Sequence, residues 1–226
     1  MSDTSYTHIV SLGAWCQVAS QIKTCTGELA TGPFDWLVTP LPALVRILRD
    51  DGQGLALAAL AEGDTAICPT YGCLYHHEFE RDAARRCIIT DEALARTRSK
   101  LLHKWDSLKQ KLSDRQRTLF VRFGGDARPA RAWPYHFDPH RTCSAELNAL
   151  DDALASRFPG LPFDILHVWH EQMHPSDFSA PLSPRIRLAP MTTPSHRDWR
   201  GDAMAWEALF HRHGVATLPQ AVPQAA

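Results

Sequence analysis

Residues 8–19 read His8-Ile9-Val10-Ser11-Leu12-Gly13-Ala14-Trp15-Cys16-Gln17-Val18-Ala19, and the way this stretch folds decides the class of the whole chain. His8-Ile9-Val10 is a short β-branched run of the kind that fills a buried strand, while Val18, Ala19 and Ile22 recur at helical spacing. Gly13 supplies the turn between them. The predicted unit is strand, tight glycine turn, helix, with Cys16 in the first turn of the helix. Unpaired N–H groups and the positive end of the helix dipole favour a thiolate there, and the same N–H groups can hold an oxyanion. A cysteine at such a junction also packs well as a small apolar residue, so the local pattern leaves both roles open.

Working outward, Pro42 with Leu41, Leu44, Val45 and Leu48 on one stripe predicts a helix, which the Gly- and Ala-rich stretch 51–62 extends as a short helical piece. Residues 64–75 read as loop or short strand. A long helix is predicted over 91–112, with Asp91 as its N-cap and Leu94, Leu101, Leu102, Trp105, Leu108 and Leu112 at helical spacing. Thr118–Phe123 is a continuous apolar run leaving through Gly124-Gly125, the signature of a central strand. After a Pro-rich loop over 127–142, Ser144 caps a helix over 146–158. Strands follow at 163–169 and 186–188, then a helix over 202–213. Strands alternating with helices predict the α/β class: a mainly parallel sheet with helices on both faces, in a single three-layer domain of residues 1–214 with a disordered tail at 215–226. In such sheets ligands bind beyond the carboxyl ends of the strands. Cys16, Gly124-Gly125 and His170 each directly follow a predicted strand.

The 226 residues are 44% hydrophobic and 22% charged, ordinary for a globular protein with one sizeable core. With 24 Lys plus Arg against 25 Asp plus Glu, the net charge of -1 gives no electrostatic footprint for nucleic acid or an anionic membrane. No run of about 18 apolar residues occurs, so a cytoplasmic location is expected. The six cysteines have no framework spacing and read as reduced thiols.

Five blocks carry a likeness: S-L-G-x-x-C-x-x-A at Ser11–Ala19, P-F-D-W-L at Pro33–Leu37, His77-Glu78-Phe79, L-F-V-R-F-G-G at Leu119–Gly125, and the Trp199/Trp206 pair. From about residue 9 to 210 the chain resembles a bacterial family of unknown function described as papain-like cysteine peptidases. The resemblance implies a thiol nucleophile, a histidine base and an orienting acid, which fall on Cys16, His77 and Asp35. It also implies a rival architecture, the papain-like α+β fold. The candidate substrate-binding residues are Gly13, Trp15, Trp36, Arg122, Gly124 and Gly125. His170 and His174 are alternative bases.

Two other constellations offer metal-ligand chemistry: Cys68-x4-Cys73-x2-His76-His77, and His167 with His170 and His174. Their ordinary readings are buried thiols beside a loop and a polar strand end, and no metal or cofactor is expected. Arg122, in an apolar strand, needs an anion, either a carboxylate such as Asp35 or substrate. Trp36, Trp133 and Trp169 read as core or pocket wall. The leading expectation is therefore a Cys-His enzyme acting on a small-molecule or peptide acyl substrate, as a peptidase or other hydrolase or as an acyltransferase. The alternative is a non-catalytic module for a small anionic or sugar-like ligand, in which Cys16 packs and Arg122 helps the helix N-terminus hold the anion.

Overall fold

A computed structural model of the chain describes residues 5–29, 31–124, 142–170, 178–191 and 199–218. In chain order the elements are β1 (His8–Ser11), α1 (Cys16–Thr26), α2 (Leu41–Arg49), β2 (Leu60–Glu62), β3 (Thr65–Ile67), β4 (Glu80–Arg81), β5 (Cys87–Ile88), α3 (Asp91–Leu112), β6 (Thr118–Phe123), α4 (Ser144–Arg157), β7 (Phe163–His170), β8 (Ile186–Met191) and α5 (Ala203–Arg212). The predicted first unit is present, with Cys16 opening α1 just beyond the carboxyl end of β1.

Four strands form the main sheet in the order β1-β6-β7-β8, and every neighbouring pair is parallel. Their register aligns Val10, Phe120, Ile165 and Ile186 in one row across the sheet. All four belong to the larger core, which α2, α3 and α4 cover through residues such as Leu44, Ile47, Leu101, Trp105, Leu150 and Leu154. The alternate residues Leu119, Val121, Leu166 and Val168 point the other way, into a second core closed by Val18 and Ile22 of α1 and Trp206, Leu209 and Phe210 of α5. Period-two alternation between two buried faces explains why these strands are nearly continuously apolar. The result is the expected α/β arrangement with helices on both faces, and not the papain-like alternative. Two small antiparallel pairs, β2–β3 and β4–β5, lie outside the main sheet.

Several boundaries differ from the sequence reading for local reasons. Asp51 and Gly52 both adopt positive φ, 60° and 70°, so α2 stops and residues 51–57 form turns and a bend instead of more helix. Thr90, not Asp91, caps α3, its side chain accepting the Ala93 N–H, which leaves Asp91 in the first turn to meet the dipole. Cys143 is the N-cap of α4, and its N–H donates to the Glu146 carboxylate at 3.2 Å. β8 runs on through Pro190 to Met191; as an edge strand it tolerates a residue without an N–H. The tail stays docked past 215: Val215 is buried and the Leu218 N–H donates to the Cys25 carbonyl at 2.7 Å. Residues 219–226, and all but residue 142 of the loop expected over 127–142, lie outside the described residues. Among the described residues no helix is long and apolar enough to cross a membrane.

Candidate active site around Cys16

β1 hands the chain to α1 through a turn with little freedom. The Leu12 N–H still donates to the Val121 carbonyl at 2.8 Å, and then Gly13 and Ala14 both take positive φ, 67° and 64°. Ala14 pays about 1–2 kcal/mol for that conformation. At Gly13 only glycine fits, because a Cβ would stand 2.9 Å from the Phe34 carbonyl oxygen. Trp15 is extended and gives α1 no side-chain cap, and the first turn holds no acidic residue. Among the described residues no N-cap side chain takes the first N–H groups of α1, and the Cys16 sulfur accepts its own.

The Phe34 contact belongs to a strap, residues 31–40, laid against this turn. Phe34 is buried edge-on to Trp105 at 5.9 Å. Asp35 accepts the Gly32 N–H at 2.6 Å and the Ser11 hydroxyl, while the Gly13 N–H donates to Ser11 Oγ at 3.2 Å. A single chain of hydrogen bonds thus joins the S-L-G block to the P-F-D-W block. The expected buried, hydrogen-bonded carboxylate is there, with the Gly32 N–H and the Ser11 hydroxyl as its partners. Burial pushes the Asp35 carboxyl up to about 6, against the pull of Gly32, Lys104, Ser11 and Lys111. Cys16 is half-buried, and its thiol is pushed up to about 11, mostly by burial and further by the Asp35 charge, against its own backbone N–H. The charge of Asp35 therefore opposes a thiolate on Cys16. Beside β1 a cavity of about 140 Å³ is lined by Ser11, Asp35, Lys104, Lys111 and Glu28 over an apolar floor that includes Ile22 and Leu108.

His77 reaches the same strap from the other side. Val38 and Leu74 exchange backbone hydrogen bonds of 3.1 and 2.9 Å, and Trp15 packs on the small cluster of Val38, Ile67 and Leu74. Three residues on, the exposed His77 ring stands edge-on to Trp36 at 5.7 Å and to His76 at 4.6 Å. Burial, then Arg81, hold its pKa below the usual imidazole range, with Glu78 working the other way. That favours the neutral, proton-accepting form. Glu78 itself is ion-paired to Lys100 at 2.8 Å. No hydrogen bond joins His77 to Cys16 or to Asp35 among the described residues.

Arg122 does not pair with Asp35. Strand alternation separates them: Arg122 projects on the side of β6 that carries Phe120, whereas Ser11, which holds Asp35, is in register with Val121. The guanidinium is 1% exposed and donates to the carbonyls of Leu12 at 3.0 Å and Thr39 at 2.7 Å. It clamps the exit of β1 to the start of α2. Burial brings its pKa down to about 9, with Glu146 the carboxylate it feels. Its register neighbour His167 is buried, stacked parallel to Trp169 and pushed down to about 3 by burial and then by Arg122. The ring lies against Gly124, where a Cβ would meet its Cε1 at 3.4 Å, about van der Waals contact.

Gly125, Trp133, His174 and the side chain of His170 lie outside the described residues. Cys68 and Cys73 are fully buried while His76 and His77 are exposed, so that metal-ligand spacing is split between inside and outside. Among the described residues no group of three or more His, Cys, Asp or Glu is placed to hold a metal ion. The sequence reading missed Ser11 and Lys104. Ser11 carried a signal, a hydroxyl two residues before a turn glycine, the pattern of a local side-chain turn; Lys104 carried none, being one charge among many on α3.

No curated protein and no solved structure matches this chain. The sequence model of a family described as "Putative papain-like cysteine peptidase" matches residues 7–62, a segment that contains Cys16 and the strap that carries Asp35 and stops short of His77 and Arg122.

Proposed function

We propose that this protein is a thiol enzyme that transfers an acyl group from a small-molecule or peptide substrate, with Cys16 as nucleophile. The observation that carries the reading is the placement of Cys16 as the first residue of α1, beyond the end of β1, at a helix start with no side-chain cap. The N–H groups of that turn are placed to receive the oxyanion that forms when sulfur attacks a carbonyl. A thiol held up to about 11 is protonated at neutral pH, so attack needs a base at the moment of reaction. His77 is assigned that role, since it is neutral, exposed and carried on the segment paired with the strap. Asp35 is assigned an anchoring role through Ser11 and Gly32, and Trp36 walls the space between strap and His77. The acceptor is water, as in a peptidase or other hydrolase, or a second nucleophile, as in an acyltransferase. The free cysteines suit a reducing compartment, and we place the protein in the cytoplasm.

The test is mass spectrometry of the protein after brief exposure to activated acyl esters and thioesters. An acyl adduct on Cys16, lost in Cys16→Ser and slowed in His77→Ala, supports the assignment. Adducts that ignore both substitutions overturn it.

One observation favours a second reading. The raised Cys16 thiol is what a packing cysteine has, and Arg122 is a buried cation with no carboxylate bonded to it among the described residues. Under that reading the protein binds a small anionic or sugar-like ligand without chemistry. Cys16→Ala would then leave ligand-induced thermal stabilisation intact.

A further inference from the structure

Residues 65–75 fold back on themselves, with Ile67 and Leu74 packed against Trp15. After β3 the chain turns through Cys68-Pro69-Thr70-Tyr71-Gly72 and returns with Leu74 bridged antiparallel to Ile67. The Tyr75 N–H donates to the Ala66 carbonyl at 2.8 Å and the Cys68 N–H to the Cys73 carbonyl at 2.9 Å. This register sets Cys68 across from Cys73, with both side chains on one side of the paired backbones. Opposed Cα atoms in such a pair are about 5.5 Å apart, within the roughly 4.4–6.8 Å that a disulfide spans. Both residues are fully buried, and the Cys73 thiol donates to the Cys68 sulfur.

The Cys68 sulfur also receives the Tyr75 hydroxyl and the backbone N–H groups of Thr70 and Tyr71. Tyr75 Oη accepts the Ala56 N–H at 2.7 Å, which turns its own proton toward the sulfur. When the thiol is protonated its acceptor is the Gly54 carbonyl, 3.7 Å away. Burial drives a thiol up, as at Cys25, which stands at about 11 with the Glu207 charge adding to the burial. Against the same burial, the donors around Cys68 bring it down to about 6. Cys73, which gives its proton to that bond, is held well above the ordinary thiol range. These donors favour the thiolate on Cys68 and the thiol on Cys73.

We propose that Cys68 and Cys73 form a peroxide-reactive dithiol, with Cys68 as the attacking sulfur and Cys73 as the resolving one. In the first step the Cys68 thiolate attacks one oxygen of a hydroperoxide; the S–O bond forms, the O–O bond breaks, and the departing oxygen takes a proton to leave as water or an alcohol. Cys68 is then a sulfenic acid. In the second step the Cys73 sulfur attacks Cys68; the S–S bond forms, the S–O bond breaks, and the hydroxide leaves as water with the Cys73 proton. Two thiol hydrogens and two electrons pass to the peroxide. A hydroperoxide suits the site because a buried sulfur admits only a small oxidant. Ile67 and Leu74, which flank the pair, are the residues on which Trp15 packs, so the new bond would stiffen the surface beneath the turn that presents Cys16.

The experiment treats the full reduced chain with hydrogen peroxide, blocks remaining thiols with iodoacetamide, and digests with chymotrypsin, which cuts after Tyr71 between the two cysteines. The expected product is the 68 and 73 fragments joined until reduced, formed at least roughly tenfold faster than any modification of buried Cys25. Cys73→Ser should stop at a Cys68 sulfenic acid that dimedone traps. Tyr75→Phe, which keeps both cysteines, should slow the reaction. In Cys16→Ser the pair should form at the wild-type rate, which separates this proposal from the acyl-transfer reading. Cys68 and Cys73 both remaining alkylatable while Cys16 or Cys143 is oxidised would overturn it, as would a rate unchanged by Tyr75→Phe.

Discussion

The hydroxyl of Ser11 donates to the carboxylate of Asp35, so the end of the first strand and the strap twenty-odd residues later are one interlocked unit. Whatever Cys16 does, its position is set by that unit.

Gly13→Ala should lower stability by about 1–3 kcal/mol, the cost of forcing a side chain into a strained conformation. The substitution meets both the positive φ of 67° and the Phe34 oxygen at 2.9 Å. Urea denaturation of the two proteins measures the loss, and an unchanged midpoint would refute the close approach.

Asp35→Asn should change two pH profiles. The folded carboxyl, at about 6, lies above the roughly 3.9 of an unfolded aspartate. The folded state therefore holds the extra proton between those values. Asp35 contributes stability that is full below about 4 and is lost as pH rises through about 6, on the order of 3 kcal/mol. Denaturation midpoints at pH 4, 5, 6 and 7 should show less of this decline in the asparagine variant. Removing the charge should also lower the Cys16 thiol pKa, seen as faster iodoacetamide alkylation of Cys16 at a fixed pH between 7 and 9.

His167 predicts the opposite slope. Its folded pKa of about 3 lies below the unfolded value near 6.5, so its contribution is present above about 6.5 and is lost as pH falls toward 3. The loss approaches about 1.4 kcal/mol per pH unit between those limits. His167→Phe should flatten this part of the stability curve.

Arg122→Met should uncouple the β1 exit from α2 by leaving the Leu12 and Thr39 carbonyls without their donors, at about 1–3 kcal/mol for each buried group left unpaired. Loss of the guanidinium should also move the His167 imidazole back toward its ordinary range, which two-dimensional NMR titration of the ring reads directly. A His167 titration unaffected by this change would show that burial alone governs it.

The first strand, glycine turn and cysteine helix were legible because the apolar period changes from two to 3.6 within a few residues, and β6 and β7 because strands buried on both faces are nearly continuously apolar. The partners of Arg122 were not legible. Its apolar neighbours marked it as buried, but which carbonyls it reaches depends on the alternation of β6 against β1, set more than a hundred residues apart. The approach of His77 to Trp36 rests on the Val38–Leu74 pairing, a backbone contact that no local pattern announces. Cys143 as a helix cap was hidden for a different reason, since the adjacent Ser144 is the better cap by type, and the Glu146 bond to the Cys143 N–H decided between them.

Among the described strands β1 pairs with β6 alone, more than a hundred residues further along the chain. Closing so long a loop delays the pairing relative to any local contact. During synthesis the first strand emerges early and waits, with both edges open, until β6 arrives. A fragment carrying only residues 7–62 would lack its neighbouring strand, the Arg122 clamp and most of the larger core. The segment that looks most self-contained in sequence is thus among the last parts of the protein able to fold.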